Sequence, residues 1–168
     1  MGTSSSILTS VILPVFGIIS YTFAGVVNRK IRSELKSSAL FFGGALFSSL
    51  VLLIMCMRPD FRPTLPGRII SVLSVALVTG CAHGINMMLV CELPVKFMKY
   101  GKISTVSGLL NAFTYVGSAL STYAIALIVD NKGWRFAIGS WAVTALLGAV
   151  MCIINVAYVG RRESSARD

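Results

Sequence analysis

The sequence predicts an all-α transmembrane fold, a bundle of five membrane-spanning helices. Five stretches contain no Asp, Glu, Lys or Arg, and each is at least as long as the roughly 20 residues that a spanning helix needs. Only 12% of the residues are charged, about half the share found in a soluble domain. The mean hydropathy is +0.82. The predicted spans are 7–27, 38–57, 69–91, 103–129 and 136–159.

We therefore treat 1–168 as a single transmembrane domain that ends in a short cytoplasmic tail, 160–168. The first span is predicted to be a permanent helix, because it lacks the basic start and the cleavage site of a signal peptide. Pro94, just past the third span, is predicted to stop or kink that helix. The turn Asp130–Trp134 is predicted to join the fourth and fifth helices, with the indole at headgroup depth.

The net charge of +9 is carried between or after the spans, which favours lipid headgroups over nucleic acid as its partner. The first and third connectors and the tail hold 10 of the 15 Lys and Arg residues. Because cytoplasmic loops are richer in basic residues, we expect the N-terminus outside and the C-terminus in the cytoplasm. The basic loop Arg29, Lys30 and Arg32 either fixes this topology through anionic lipid or forms salt bridges that lock one conformation.

Polar and small residues follow one face of the fourth predicted helix, three or four residues apart. They are Ser104, Gly108, Asn111, Tyr115, Ser118 and Thr122. Lipid does not favour such a stripe, whereas a neighbouring helix or a water-filled path does. Small residues mark helix interfaces in membranes. The residues that we expect to pack against other helices are Gly84, Gly108, Gly117, Ser118 and Thr122.

The larger polar residues of the spans are the candidates for a solute path. They are His83 and Asn86 on the third helix and Asn111 and Tyr115 on the fourth. His83 is the one side chain within the spans that titrates near neutral pH. It is either a neutral group hydrogen-bonded across to another helix, or a titrating group that couples transport to protons.

Enzymatic chemistry is not expected. Thr105-Val106-Ser107-Gly108 lacks the first glycine of the Gly-x-Ser-Gly pattern of intramembrane serine proteases. His and carboxylates are not clustered as a metal site requires, and the four cysteines are predicted to be free, buried thiols. We therefore predict no catalytic residue, no metal and no cofactor.

The first and fourth spans share three small residues at an offset of 100 positions. The pairs are Gly17/Gly117, Thr22/Thr122 and Ala24/Ala124. Since the two helices are predicted to run in opposite directions, the matches are either the trace of an inverted repeat or chance.

Two segments carry a more specific pattern. Residues 91–135 combine Glu92-Leu93-Pro94 at a helix end, a basic connector, a Gly-rich helix with Tyr115-Val116-Gly117, and Asp130 before Gly133-Trp134. This segment resembles the tenth-to-twelfth helix region of major facilitator superfamily transporters, and it looks most like the organophosphate:phosphate antiporter branch. The earlier segment FGIISYTFAGVVNRKIR, residues 16–32, is similar to the eighth helix of that family and its basic cytoplasmic loop.

The resemblance implies helices eight to twelve of a twelve-helix secondary active transporter, a partial C-terminal half of the major facilitator fold. It implies alternating access, a small organic solute of which phosphorylated compounds are one class, and a bacterial inner (plasma) membrane. The expected partners are the lipid bilayer, the solute and the missing N-terminal helices of the same transporter, with no nucleic acid. In that branch, arginines on the first and seventh helices grip the phosphate, and neither helix is present here.

A stand-alone five-helix membrane subunit or scaffold without transport activity is the alternative. The genomic sequence just upstream of the Met1 codon discriminates between the two hypotheses. An in-frame continuation that encodes further apolar spans favours the transporter, and a ribosome-binding site without such a continuation favours the small protein.

Overall fold

The chain folds into long helices joined by short connectors. A computed structural model describes the backbone of residues 3–58 and 64–165, and the side chains of residues 15–58 and 64–158. Within these ranges the chain is 94% helix and no strand occurs. The five long helices are α1 Thr3–Ile31, α2 Glu34–Met57, α3 Leu65–Met87, α4 Ile103–Lys132 and α5 Trp134–Ser165.

Four of these helices are long and apolar enough to cross a membrane, namely α2, α3 with its continuation, α4 and α5. The prediction of an all-helical fold is confirmed for the described residues, and these four helices indicate an integral membrane protein. The predicted span 7–27 of α1 lies partly outside the described side chains. At the other end, α5 continues to Ser165, into the residues predicted as the tail.

The end of α3 differs from a simple stop. After Met87 the helix continues as a π-helical turn, Met88–Glu92, and then as one α-helical turn, Leu93–Val95. It therefore extends four residues past the predicted end of the span at residue 91. Pro94 has no N–H to donate to the carbonyl of Val90, four residues earlier. That carbonyl instead accepts a hydrogen bond of 3.1 Å from the Ser107 hydroxyl on α4. The proline therefore leaves the Val90 carbonyl without its α-helical donor, and a side chain of a neighbouring helix donates to it instead.

Close packing joins α1, α2, α3 and α5, and glycines permit it. A Cβ on Gly84 of α3 would lie 3.0 Å from the Phe41 ring of α2. A Cβ on Gly148 of α5 would overlap the Phe42 ring of α2. Small side chains let the backbones approach, which is how helices gain packing energy in lipid. We refer to α1, α2, α3 and α5 as the packed block.

Polar contacts fix both ends of the bundle. The Lys96 ammonium lies 2.6 Å from the Glu34 carboxylate, so the first and third connectors lie at the same end. At the opposite end, Arg135 donates to the Cys56 carbonyl at 3.4 Å. Adjacent connectors therefore alternate between the two ends, as the charge count requires.

One helix lies apart from the packed block. None of the side chains of α4, all of which are described, is buried. The contact at its start is the Ser107 hydrogen bond to Val90. At its end, Gly133 makes the turn into α5 with φ 82°, a conformation that glycine adopts without strain. The helix is thus held at its two ends.

Candidate functional site

A polar cluster links α1 and α3 within the packed block. The side-chain amide of Asn86 donates to the Tyr21 hydroxyl at 3.3 Å. The Tyr21 and His83 rings meet edge to face, with centroids 5.5 Å apart. Nδ1 of His83 lies 2.8 Å from the Thr79 carbonyl. We call Tyr21, Thr79, His83 and Asn86 the α1–α3 polar cluster.

The hydrogen-bond geometry of His83 distinguishes its two ring nitrogens. A carbonyl only accepts, so Nδ1 carries a proton and donates to Thr79. Nε2 is the other ring nitrogen. It faces Gly17 of α1, where a Cβ would lie 3.2 Å from it. The imidazole therefore bonds to its own helix and contacts α1 through the Tyr21 ring and the Gly17 backbone. Of the two interpretations of His83, the hydrogen bond across to another helix is not seen among the described residues.

The four solute-path candidates separate into two groups. His83 and Asn86 belong to the cluster. Asn111 and Tyr115 lie on α4 with exposed side chains, and Tyr115 is 70% exposed. The structure does not bring the two groups together. Sequence reasoning missed Tyr21, although it is the only tyrosine of the first apolar stretch.

The residues predicted to pack helices also have two fates. Gly84 is buried against Phe41. Gly108 and Gly117 face open space, since a Cβ on either would meet nothing within 4 Å among the described residues. Ser118 and Thr122 are exposed and bond to each other along α4, the Thr122 hydroxyl donating to the Ser118 carbonyl at 2.8 Å. The predicted stripe thus lies on the exposed surface of the described chain.

The basic residues predicted to form a cytoplasmic loop, Arg29, Lys30 and Arg32, are exposed. Arg29 and Lys30 form the last turn of α1. Arg32 ends it in the left-handed conformation, with φ 54°. Next to these residues, the buried hydroxyl of Ser37 donates to the buried side-chain carbonyl of Asn28 at 3.1 Å. This hydrogen bond links the end of α1 to the start of α2. Among the described residues, the ion pair at this end is made by Glu34 and Lys96, and none is made by the three basic residues.

A cavity of about 640 Å³ lies between α2, α3, α4 and α5. None of the described residues that line it is charged. Its polar lining consists of Thr79, His83, Ser121, Ser140 and Thr144. The cavity therefore shares Thr79 and His83 with the α1–α3 polar cluster.

Metal chemistry has no support in the described ranges, where no group of three His, Cys, Asp or Glu side chains comes together. None of the four cysteines, all of which are described, forms a disulfide, and only Cys56 is buried. Cys81 and Cys152 are half-buried and Cys91 is exposed, which corrects the prediction that all four are buried thiols.

Comparison with known proteins identifies no relative: no family model, no curated protein and no solved structure matches the chain.

Proposed function

We propose that the chain forms the C-terminal part, helices eight to twelve, of a secondary active transporter of the major facilitator type. The transporter moves a small organic solute by alternating access, in which one helical half rocks against the other around a midplane site. The residue patterns of 16–32 and 91–135 motivate the family. The chain is not an enzyme in this proposal, and it works in the bacterial inner membrane with its C-terminus in the cytoplasm.

The exposed stripe on α4 is the observation that carries the proposal. A membrane helix with no buried side chain has no packing reason to hold glycine, serine, threonine, asparagine and tyrosine on one face. Packing against helices outside this chain supplies that reason. In a transporter, those helices belong to the missing N-terminal region.

The solute class follows from what the helices lack. No Lys or Arg of the described spans lines the cavity, so these helices offer no cationic side chain to bind a phosphate there. If the solute is an organophosphate, its phosphate is bound by helices outside this chain. His83 and Asn86 in the packed block, and Asn111 and Tyr115 on the face of α4 that meets the missing helices, are then the candidates to contact the uncharged part of the solute.

Reconstitution tests the proposal. The chain in liposomes should take up no solute above background, because a cavity that needs two six-helix halves is absent. The intact parent transporter, identified from the genomic sequence upstream of Met1, should transport. Robust uptake by this chain alone would overturn the proposal.

Proton coupling is a separate part of the proposal. In the intact transporter, His83→Ala should change the pH dependence of uptake, because imidazole is the one side-chain type within the predicted spans that ordinarily titrates near neutral pH. An unchanged pH profile would remove the coupling role while leaving transport itself in place.

The alternative function, a stand-alone subunit or scaffold, is favoured by the packed block, whose helices contact each other closely without further chains. Genomic sequence distinguishes the two: the absence of upstream spans in frame with Met1 supports the subunit.

A further inference from the structure

We infer that the cavity between α2, α3, α4 and α5 is a binding site for an uncharged, predominantly apolar molecule. The inference stands on the geometry of the cavity and does not depend on transport. The source of the ligand is either a free small molecule or the acyl chain of a lipid. The two share the same chemistry, an apolar group without charge.

The cavity exists because α4 is attached at its ends and stands away in the middle. The Ser107 hydrogen bond to Val90 anchors one end, and the Gly133 turn into α5 anchors the other. Between these anchors, α4 contributes Ser121, Ala124 and two isoleucines to one wall. The opposite wall belongs to the packed block. A volume of about 640 Å³ falls within the range of small-molecule sites.

The lining excludes a charged ligand. None of the described lining residues is Asp, Glu, Lys or Arg, so no permanently charged side chain is present to pair with an anion or a cation. Moving an unpaired ion into such surroundings is very costly. A phosphate ester is therefore rejected by this site, whatever the rest of a transporter binds.

The hydroxyl groups that α5 contributes to the lining can offer a ligand only acceptor atoms. The Ser140 hydroxyl donates to the Ala137 carbonyl at 2.7 Å, and the Thr144 hydroxyl donates to the Ser140 carbonyl at 2.9 Å. Their protons are thus used within α5, and only their oxygen lone pairs face a ligand. Ser121 on α4 makes no hydrogen bond to the described residues. A ligand with a single hydroxyl meets this arrangement.

Water is a poor occupant of the site. Apolar surface favours contact with an apolar molecule over contact with water. The walls are mostly alanine, valine, isoleucine and aromatic side chains. An apolar ligand fills the space at no cost in charge.

Trp141 provides the readout. It lines the cavity, whereas the only other tryptophan, Trp134, is 59% exposed at the start of α5. The full chain with Trp134→Phe, reconstituted in unbrominated phosphatidylcholine bilayers, reports on Trp141 alone. Bromine quenches indole fluorescence on contact. The probes are 4-bromobenzyl alcohol, which is uncharged, and its anionic counterpart 4-bromobenzyl phosphate.

Two α4 variants control for partitioning into lipid. Ala124 lines the cavity, so Ala124→Phe fills it. Ala126 lies on the same helix, is exposed and does not line the cavity, so Ala126→Phe is the matched control. Neither position is buried, so neither change perturbs a packed core.

The expected result is saturable quenching by the alcohol, with an apparent affinity that falls at least fivefold in Ala124→Phe and stays unchanged in Ala126→Phe. The phosphate should quench less than a fifth as much at equal concentration. Lipid with brominated acyl chains forms the second arm. Quenching by it that Ala124→Phe removes identifies a lipid chain as the source, and quenching by the alcohol alone identifies a free molecule.

The inference is overturned if quenching by 4-bromobenzyl alcohol and quenching by the brominated lipid both rise linearly, and equally in all variants. That result would show partitioning into the bilayer without a binding site. The inference is also overturned if the phosphate binds as well as the alcohol. Neither outcome bears on uptake by the intact transporter, so failure here is distinct from failure of the proposed function.

Discussion

The ring of Phe42 on α2 lies directly against the backbone of Gly148 on α5. No side chain larger than hydrogen fits at position 148 with the ring in place. This pair lies in the most extensive helix contact of the packed block. It locates the close approach of α2 and α5, which also forms one edge of the cavity, since Phe42 lines it.

Gly148→Ala should therefore lower the free energy of unfolding by about 1–3 kcal/mol, the usual cost of overpacking. The matched control is Gly117→Ala on α4, where a Cβ meets nothing within 4 Å among the described residues. It should cause no loss of stability. Unfolding of the detergent-solubilised chain by dodecyl sulfate measures both. Equal effects at the two positions would contradict the packing of α2 on α5.

The α1–α3 polar cluster gives a second prediction. Tyr21→Phe removes the hydroxyl that accepts from Asn86 and leaves the ring contact with His83 in place. Interhelical hydrogen bonds in membranes contribute about 0.6 kcal/mol on average, and about 1.7 kcal/mol at most. The loss of stability should fall in that range. Tyr123→Phe, at a position 67% exposed on α4, is the control and should have no effect.

An unchanged stability for Tyr21→Phe would show that the Asn86 amide finds another partner. The side-chain oxygen of Asn86 is already buried and has no hydrogen-bond partner in the described structure. Tyr21→Phe leaves a second polar group of the Asn86 side chain without a partner. The variant should therefore have a lower free energy of unfolding, measured in dodecyl sulfate.

The turn between α1 and α2 yields a third prediction, because Asn28 and Ser37 are buried and bonded to each other. Ser37→Ala leaves the Asn28 side chain without its donor, at an expected cost of about 1–3 kcal/mol. The double variant Asn28→Ala/Ser37→Ala removes both partners, so its effect should be smaller than the sum of the single effects. Strict additivity in the double-mutant cycle would contradict the bond.

Much of the fold could be predicted because the absence of charge is a local property of the sequence. The predicted span 38–57 falls inside α2, Glu34–Met57, and the span 103–129 falls inside α4. The helices extend past the predicted spans, because charged residues such as Glu34 and Lys132 can continue a helix although they end an apolar stretch. Chain length and composition do not reveal where such a helix ends.

The contacts between helices could not be predicted, because they depend on the relative rotation and register of two helices. Gly148 and Gly117 are equivalent in sequence terms, yet one meets Phe42 and the other meets open space. The partner of the Val90 carbonyl, Ser107, is 17 residues away. Pro94 signals that this carbonyl loses its helical donor, and nothing local indicates which side chain replaces it.

The central claim is that the helices cross a bilayer with connectors that alternate between its two faces. The test uses a chain whose four native cysteines are replaced by alanine and which carries one new cysteine at position 30, 99 or 132. Each variant is treated with a membrane-impermeant maleimide in sealed vesicles. The account predicts that positions 30 and 99 are labelled from one face, the cytoplasmic one, and position 132 from the other. Labelling of positions 30 and 99 from opposite faces, or a chain that stays in solution without detergent, would contradict it.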